Sequence, residues 1–229
     1  MKRTLLSLAC LLAASGTHAA VIDGSIHQIL DDAGVRIGST VDQVKFTLNS
    51  AGNVTIDTLS WEDDSEDLVT PDGIWQPVDV NGDGEIAFFD SVIYLFRDDG
   101  SLDASDAVAS NDDDFTDTYG DGSIYGFDAY LSLALGNGNY ILAIGAQNLS
   151  GSEAIAGLNT DDADDWYYPV TCSGAPSDYC DYADFAYGDY RITFSDNVSL
   201  PSGQVPEPAT TGLLALGLAS LGVVRRRKA

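Results

Sequence analysis

From Asp79 to Asp90 the chain reads Asp79-Val80-Asn81-Gly82-Asp83-Gly84-Glu85-Ile86-Ala87-Phe88-Phe89-Asp90, with oxygen-bearing side chains on alternate positions at its start. Asp79, Asn81 and Asp83 take the first, third and fifth places of a twelve-residue loop, a spacing that lets three oxygens converge on one cation. Gly84 falls sixth, where a sharp turn demands a residue without Cβ. Glu85 then offers a backbone carbonyl and Ile86 an apolar anchor. A set made only of oxygens suits a hard divalent ion. Asp90 closes the loop where Glu is usual, which shortens the reach for two-oxygen ligation. An ordinary Asp/Gly turn in an acid-rich chain has the same letters.

The spacing resembles the calcium loop of EF-hand type, although Val92 to Phe96 reads as strand where that motif has a helix. Two more acidic groups are candidate cation sites. One is Asn111-Asp112-Asp113-Asp114 with Asp117 and Asp121, and the other is Asp161-Asp162 with Asp164-Asp165. Ligands crowded in sequence rarely all face one ion, so both groups read first as solvated loops.

Catalytic arrangements are thinly supplied. Beyond the N-terminal leader, His27 is the sole histidine, and no Gly-x-Ser-x-Gly segment provides a nucleophile elbow. A carboxylate pair of glycosidase type needs only two acids at the right separation, but abundance alone marks no such pair. Trp61, Trp75 and Trp166, with Tyr167, Tyr168 and the tyrosines of 179–190, offer faces for stacking on sugar rings, or for core packing.

Charge narrows the partners. Between residues 20 and 204 the basic residues are Arg36, Lys45, Arg97 and Arg191, four against 35 acids, for a formal charge of −31. Such a surface repels nucleic acid and anionic lipid, and it gathers divalent cations. Cys172 and Cys180 are an even pair. In an oxidising compartment they are expected to form a disulfide around a short Asp- and Tyr-rich loop, since no His or further Cys stands near enough to complete a metal site.

Short apolar runs between Gly/Asp turns must position these groups. Lys45–Leu48 and Val54–Ile56 flank Asn49–Asn53 as an expected hairpin. Tyr130–Leu133 and Tyr140–Ile144 flank Gly136-Asn137-Gly138 as another, its Asn-Gly step suited to a type I′ turn. Val92–Phe96 reads as a buried strand, and Tyr190–Ser195 alternates as a half-exposed last strand. Residues 147–189 read as long loops, and no amphipathic helix is evident between the two ends. The pattern predicts an all-β antiparallel β-sandwich, jelly-roll-like, over residues 20–200.

Both ends read as addresses. Lys2-Arg3, the apolar stretch Leu5–Ala14 and Thr17-His18-Ala19 have the three zones of a secretory signal peptide over residues 1–19, with cleavage expected after Ala19. At the other end, a linker over 201–208 contains Pro206-Glu207-Pro208, an uncharged apolar run follows over 209–224, and Arg225-Arg226-Arg227-Lys228-Ala229 forms a basic tail over 225–229. Rising about 1.5 Å per residue, such a run covers most of a bilayer core about 30 Å thick, so a transmembrane helix is expected there. The basic cluster holds its end in the cytoplasm.

The order Pro-Glu-Pro, apolar helix, Arg cluster resembles the PEP-CTERM sorting signal of Gram-negative surface proteins. That resemblance implies a transient inner-membrane anchor, an exosortase as processing partner, and Pro206, Glu207 and Pro208 as the recognition element. Asp90–Phe96, Asp99-Gly100, Asn111–Asp113, Leu131–Leu133 and Gly138–Tyr140 resemble the pre-peptidase C-terminal type of β-sandwich over residues 44–146, with Ser91 where that pattern often has Pro. It implies a module with no catalytic role of its own. The expected function is therefore a non-enzymatic surface or extracellular-matrix protein, calcium-binding and associated with extracellular polysaccharide. A carbohydrate-binding module and, further off, a glycan-active enzyme are the alternatives.

Overall fold

The computed structural model describes residues 19–62, 79, 81–82, 84, 86–114, 126–160, 169–172 and 187–201. Its strands are β1 (Val21–Leu30), β2 (Arg36–Thr40), β3 (Asp42–Leu48), β4 (Gly52–Leu59), β5 (Ile86–Phe88), β6 (Ser91–Arg97), β7 (Ala107–Asn111), β8 (Tyr130–Leu135), β9 (Gly138–Ala146), β10 (Leu158–Asn159), β11 (Val170–Cys172), β12 (Tyr187–Phe194) and β13 (Val198–Ser199). Among the described residues there is one α-helix, α1 (Gly151–Ala156), and one 3-10 turn, Ala104–Asp106.

Two antiparallel sheets form a sandwich. The first has six strands in the order β10-β2-β1-β12-β4-β8, and the second has five in the order β13-β3-β9-β6-β7; β5 and β11 form a separate ribbon. The main core draws on both sheets: Ile26, Ile56 and Ile192 from the first, Phe46, Ile93 and Leu142 from the second. Phe46 marks where they meet. Its ring lies 5.4 Å from Tyr140 within its own sheet and 5.2 Å from Phe194 of the facing sheet. Replacing so buried an aromatic by Ala typically costs about 3–5 kcal/mol.

The strand segments match the sequence reading better than their pairing does. Val92–Phe96 is a buried strand because both faces are covered: Ile93 and Leu95 enter the main core, while Val92 and Phe96 join a second cluster with Val41, Ile141, Leu149 and Ala154. Tyr190–Phe194 alternates as expected, but it is a central strand between β1 and β4 and not the last, since β13 follows it. The two expected hairpins are not hairpins. Asn49–Asn53 links β3 of one sheet to β4 of the other, and Gly136–Gly138 links β8 to β9 in the same way. Apolar alternation identifies a strand but not its partner, and the turn residues of a hairpin also serve an arch between sheets.

The helix also corrects the reading of 147–189 as loops. Ser150 caps α1 by accepting from the Glu153 N–H at 3.4 Å, Glu153 accepts from the Ser150 N–H at 3.0 Å, and Gly157 ends the helix at φ 74°. Ala154 and Ile155 cover the outer face of the five-stranded sheet. Among the described residues no helix is long and apolar enough to cross a membrane. The expected transmembrane run 209–224, the tail 225–229, the Pro-Glu-Pro element and nearly all of 1–19 lie outside the described residues.

Candidate cation site

The Asp79 loop turns back on itself. Asp79 Oδ1 accepts from the Gly82 N–H at 2.6 Å and Oδ2 from the Gly84 N–H at 2.9 Å. Gly82 and Gly84 have φ of 77° and 99°, a backbone region that favours glycine, which accounts for Gly at the sixth place. Asn81 is buried, and its N–H donates to Glu62 Oε1 at 3.2 Å. The Ala87 N–H donates to Glu62 Oε2 at 3.0 Å. Glu62, itself buried, thus ties both arms of the loop to the sandwich. Asp83 and Glu85 lie outside the described residues.

Asp90, the last residue of the loop pattern, is fully buried. One carboxylate oxygen each from Asp90, Asp112 and Asp113 lie within 4.8 Å of one another. Strand register brings them together. β6 and β7 are antiparallel with Ile93 opposite Asn111, so the residues following Asn111 run alongside those preceding Ile93. The segment 126–130 closes a third side. The Asp114 N–H donates to the Gly126 carbonyl at 2.9 Å, the Ser91 N–H to the Phe127 carbonyl at 3.3 Å, and the Tyr130 N–H to Asn111 Oδ1 at 3.2 Å. Asp128 stiffens that segment, with Oδ1 accepting from Ser60 N–H, Ser60 Oγ–H and Trp61 N–H at 2.7, 2.8 and 3.0 Å.

The arrangement has an electrostatic cost. Burial first, and then the neighbouring Asp112 charge, push Asp113 up to about 6. A divalent ion would reverse this, because positive charge favours the ionised carboxylates. The geometry fits: calcium–oxygen distances near 2.4 Å put two ligands at most about 4.8 Å apart across the ion. The donors are all oxygen, and three carboxylates can supply up to about six contacts, within the range calcium uses.

The sequence reading split these residues between two sites, Asp90 with Asp79 and Asp112–Asp113 with Asp117 and Asp121. The fold joins Asp90 to Asp112 and Asp113, and Asp79 is not among that group. Asp117, Asp121 and the 161–165 group lie outside the described residues. Glu62 and Asp128 were not anticipated, and no spacing marks them.

Other candidates are placed as follows. Trp61 is buried against Phe88 and Phe127, ring centroids 5.1 and 4.7 Å away, so it serves as core rather than as a sugar platform. Trp75, Trp166, Tyr167 and Tyr168 lie outside the described residues. Tyr190 is buried and donates to Asp42 Oδ2 at 2.7 Å, and burial and that carboxylate hold its phenol protonated well above the usual range. His27 stands exposed on β1 with its ring 5.6 Å from that of Tyr187. Cys172 ends β11 opposite Ile86, while Cys180 lies outside the described residues.

Comparison with known proteins decides one end of the chain. Residues 204–228 match the PEP-CTERM protein-sorting motif. The matched span contains Pro206, Glu207 and Pro208, the apolar run and the basic cluster, as the sequence resemblance implied. Among solved structures the chain is similar to the pre-peptidase C-terminal domain of a collagenase from Bacillus anthracis, at 12% identity over 77% of this chain and 89% of that one, with a TM-score of 0.31. A likeness of that degree leaves the fold to be argued from its own strands. No curated protein matches the chain.

Proposed function

We propose that the chain is a non-enzymatic, exported protein of the Gram-negative cell surface or extracellular matrix, held at the inner membrane by its tail until an exosortase processes it. The sorting motif over 204–228 carries this reading. The acidic body supplies the activity outside the cell: Asp90, Asp112 and Asp113 take a calcium ion, and calcium on the other carboxylates bridges the protein to acidic polysaccharide. The all-oxygen donor set and the raised proton affinity of Asp113 support the first part. The charge of the body supports the second. Cys172 and Cys180 form the body's disulfide, so the exported protein contains no titratable thiol.

Localisation tests the reading directly. In cells with the exosortase, the protein is expected in the matrix fraction without its tail. In cells lacking the exosortase, it is expected in the inner membrane with the tail intact. An unchanged distribution in the two strains removes the sorting reading. Turnover of a polysaccharide panel by the body alone would remove the non-enzymatic one.

A further inference from the structure

The strands run between two ends of the sandwich, and their register fixes which residues share each end. The tail leaves the body after β13, whose Val198 lies opposite Leu48. Leu48 in turn faces Gly138, and Gly52 faces Leu135, so the turns 49–51 and 136–137 stand at the same end as the tail. β6 reaches that end at Arg97, opposite Tyr140, and β12 reaches it at Phe194, whose N–H donates to the Ala20 carbonyl at 2.8 Å. At the far end His27 faces Tyr187, Ser91 faces Ala146 and Asn111 faces Ile93. There lie the β1–β2 turn, the connections on both sides of β5 and of β11, and those from β7 to β8 and from β9 to β10.

Charge follows this division. Of the 35 acids between residues 20 and 204, 26 belong to connections that start and finish at the far end, and four belong to strands. Connections of the tail end carry the other five: Asp98, Asp99, Asp103, Asp106 and Asp196. The turns 49–51 and 136–137 and the residues 200–205 have no charge at all. The basic residues divide the other way. Arg36 stands at the far end, whereas Lys45, Arg97 and Arg191 stand in the tailward half. Lys45 Nζ lies 3.3 Å from Asp98, Arg191 Nε lies 2.7 Å from Asp23, and an Arg97 guanidinium N–H donates to the Asn137 carbonyl at 3.3 Å. The formal charge of the body is thus concentrated at one end, and the tail leaves from the other.

We propose that the tail end of the sandwich is a seat for an anionic lipid surface, on which the body stands upright with its acidic end turned outward. The proposal deepens the reading of 209–224 as a membrane anchor and rests on it. The nine residues 200–208 reach at most about 30 Å. They keep the tail end near the bilayer but leave the body free to lie on its side. Charge removes that freedom. An anionic surface repels a carboxylate only within about a Debye length, near 8 Å at physiological ionic strength. The ten residues of β1 span about 30 Å, so in an upright body the far-end acids stand several Debye lengths away. A body lying down brings them into the lipid field. Nearest the lipid, the upright body places the exposed Ser50 and Asn137, which can donate to phosphate oxygens without carrying charge, and Arg97 beside them. The Asp90, Asp112 and Asp113 group then faces outward while the chain is still tethered.

The test places the full-length chain in vesicles of phosphatidylglycerol and phosphatidylcholine, or of phosphatidylcholine alone. A photoreactive benzophenone side chain replaces either Ser50 at the tail end or Ala33 at the far end, and lipid adducts are read by mass. In anionic vesicles adducts at position 50 are expected to exceed those at position 33 about tenfold. Two acids are then added at one end, with the probe at position 50. Ala51→Asp with Asn137→Asp is expected to lower the adducts severalfold in anionic vesicles and to leave them unchanged in phosphatidylcholine. Ala33→Asp with Val35→Asp, the same change in net charge at two exposed far-end positions, is expected to alter neither. Equal adducts at positions 33 and 50, no loss with the tail-end pair, or equal loss with both pairs overturns the proposal. A chain that does not float with the vesicles at all removes the anchor reading itself, and the proposal with it.

Discussion

The carboxylate of Glu153, above the outer face of the five-stranded sheet, stands among donors, whereas that of Asp113, just past the end of β7, stands among other carboxylates. Burial works against the charge of Glu153, but hydrogen bonds from the Thr160 hydroxyl at 2.6 Å, the Ser150 hydroxyl at 2.7 Å and the backbone N–H groups of both residues outweigh it and hold Glu153 near 2. At Asp113 burial and Asp112 act together and push its carboxyl up to about 6. Glu153 is satisfied by the protein itself and fastens α1 to the residues after β10. A cation beside Asp113 would favour the charged form that burial and Asp112 oppose. In a body this acidic, the surroundings of a carboxylate rather than its mere presence separate a structural acid from a ligand.

The largest effect expected is therefore that of calcium. At about a hundredfold excess over its dissociation constant, an ion that binds only the folded state adds about 2.7 kcal/mol. For a domain of this size that is a rise of roughly 5–10 °C in melting temperature, measured against the same protein in chelator. Asp113→Asn is expected to abolish the rise. In chelator the same variant is expected to melt at or above the parent, because it removes a charge the fold disfavours. If Asp79→Ala abolishes the rise and Asp113→Asn leaves it intact, the ion sits in the Asp79 loop and the contrast drawn here fails.

Glu153→Gln is expected to have a smaller effect of opposite sign. It keeps the shape of the side chain but weakens the capping box and the tie to Thr160, and after discounting for solvent screening the loss is about 1 kcal/mol. Melting in chelator and in calcium should fall by the same amount, since α1 lies apart from the cation site. A calcium-dependent loss would show that the two regions are coupled.

The two regions also differ in how far the sequence disclosed them. Ser150-Gly151-Ser152-Glu153 followed by Gly157 is a local start-and-stop signal for a helix, readable within eight residues yet easily lost in a Gly- and Ser-rich stretch. The Asp90–Asp112–Asp113 group has no such local form. It depends on β7 pairing with β6 at one register, and that choice is made by packing across the sandwich. The two arches at Asn49–Asn53 and Gly136–Gly138 failed for the same reason: the strands were legible, their partners were not. Asp79 and Gly84 were legible because a turn is local.

The pH dependence of stability is the smallest effect and the most specific. Glu153 has a folded-state value below its ordinary value of 4.5, so its contribution is full above that pH and is lost as pH falls from 4.5 toward about 2. Asp113 has a folded-state value above its ordinary value of 3.8, so between 3.8 and about 6 the folded protein binds more protons than the unfolded, and its ionisation lowers stability as pH rises through that window. In chelator, melting temperature is expected to fall both on acidification below 4.5 and on raising pH from about 4 to about 6. Asp113→Asn should flatten only the upper slope, and Glu153→Gln only the lower. Calcium should flatten the upper slope as Asp113→Asn does, because an ion that holds Asp113 ionised removes the difference in proton binding from which the slope arises. An upper slope that persists in saturating calcium would place the ion away from Asp113.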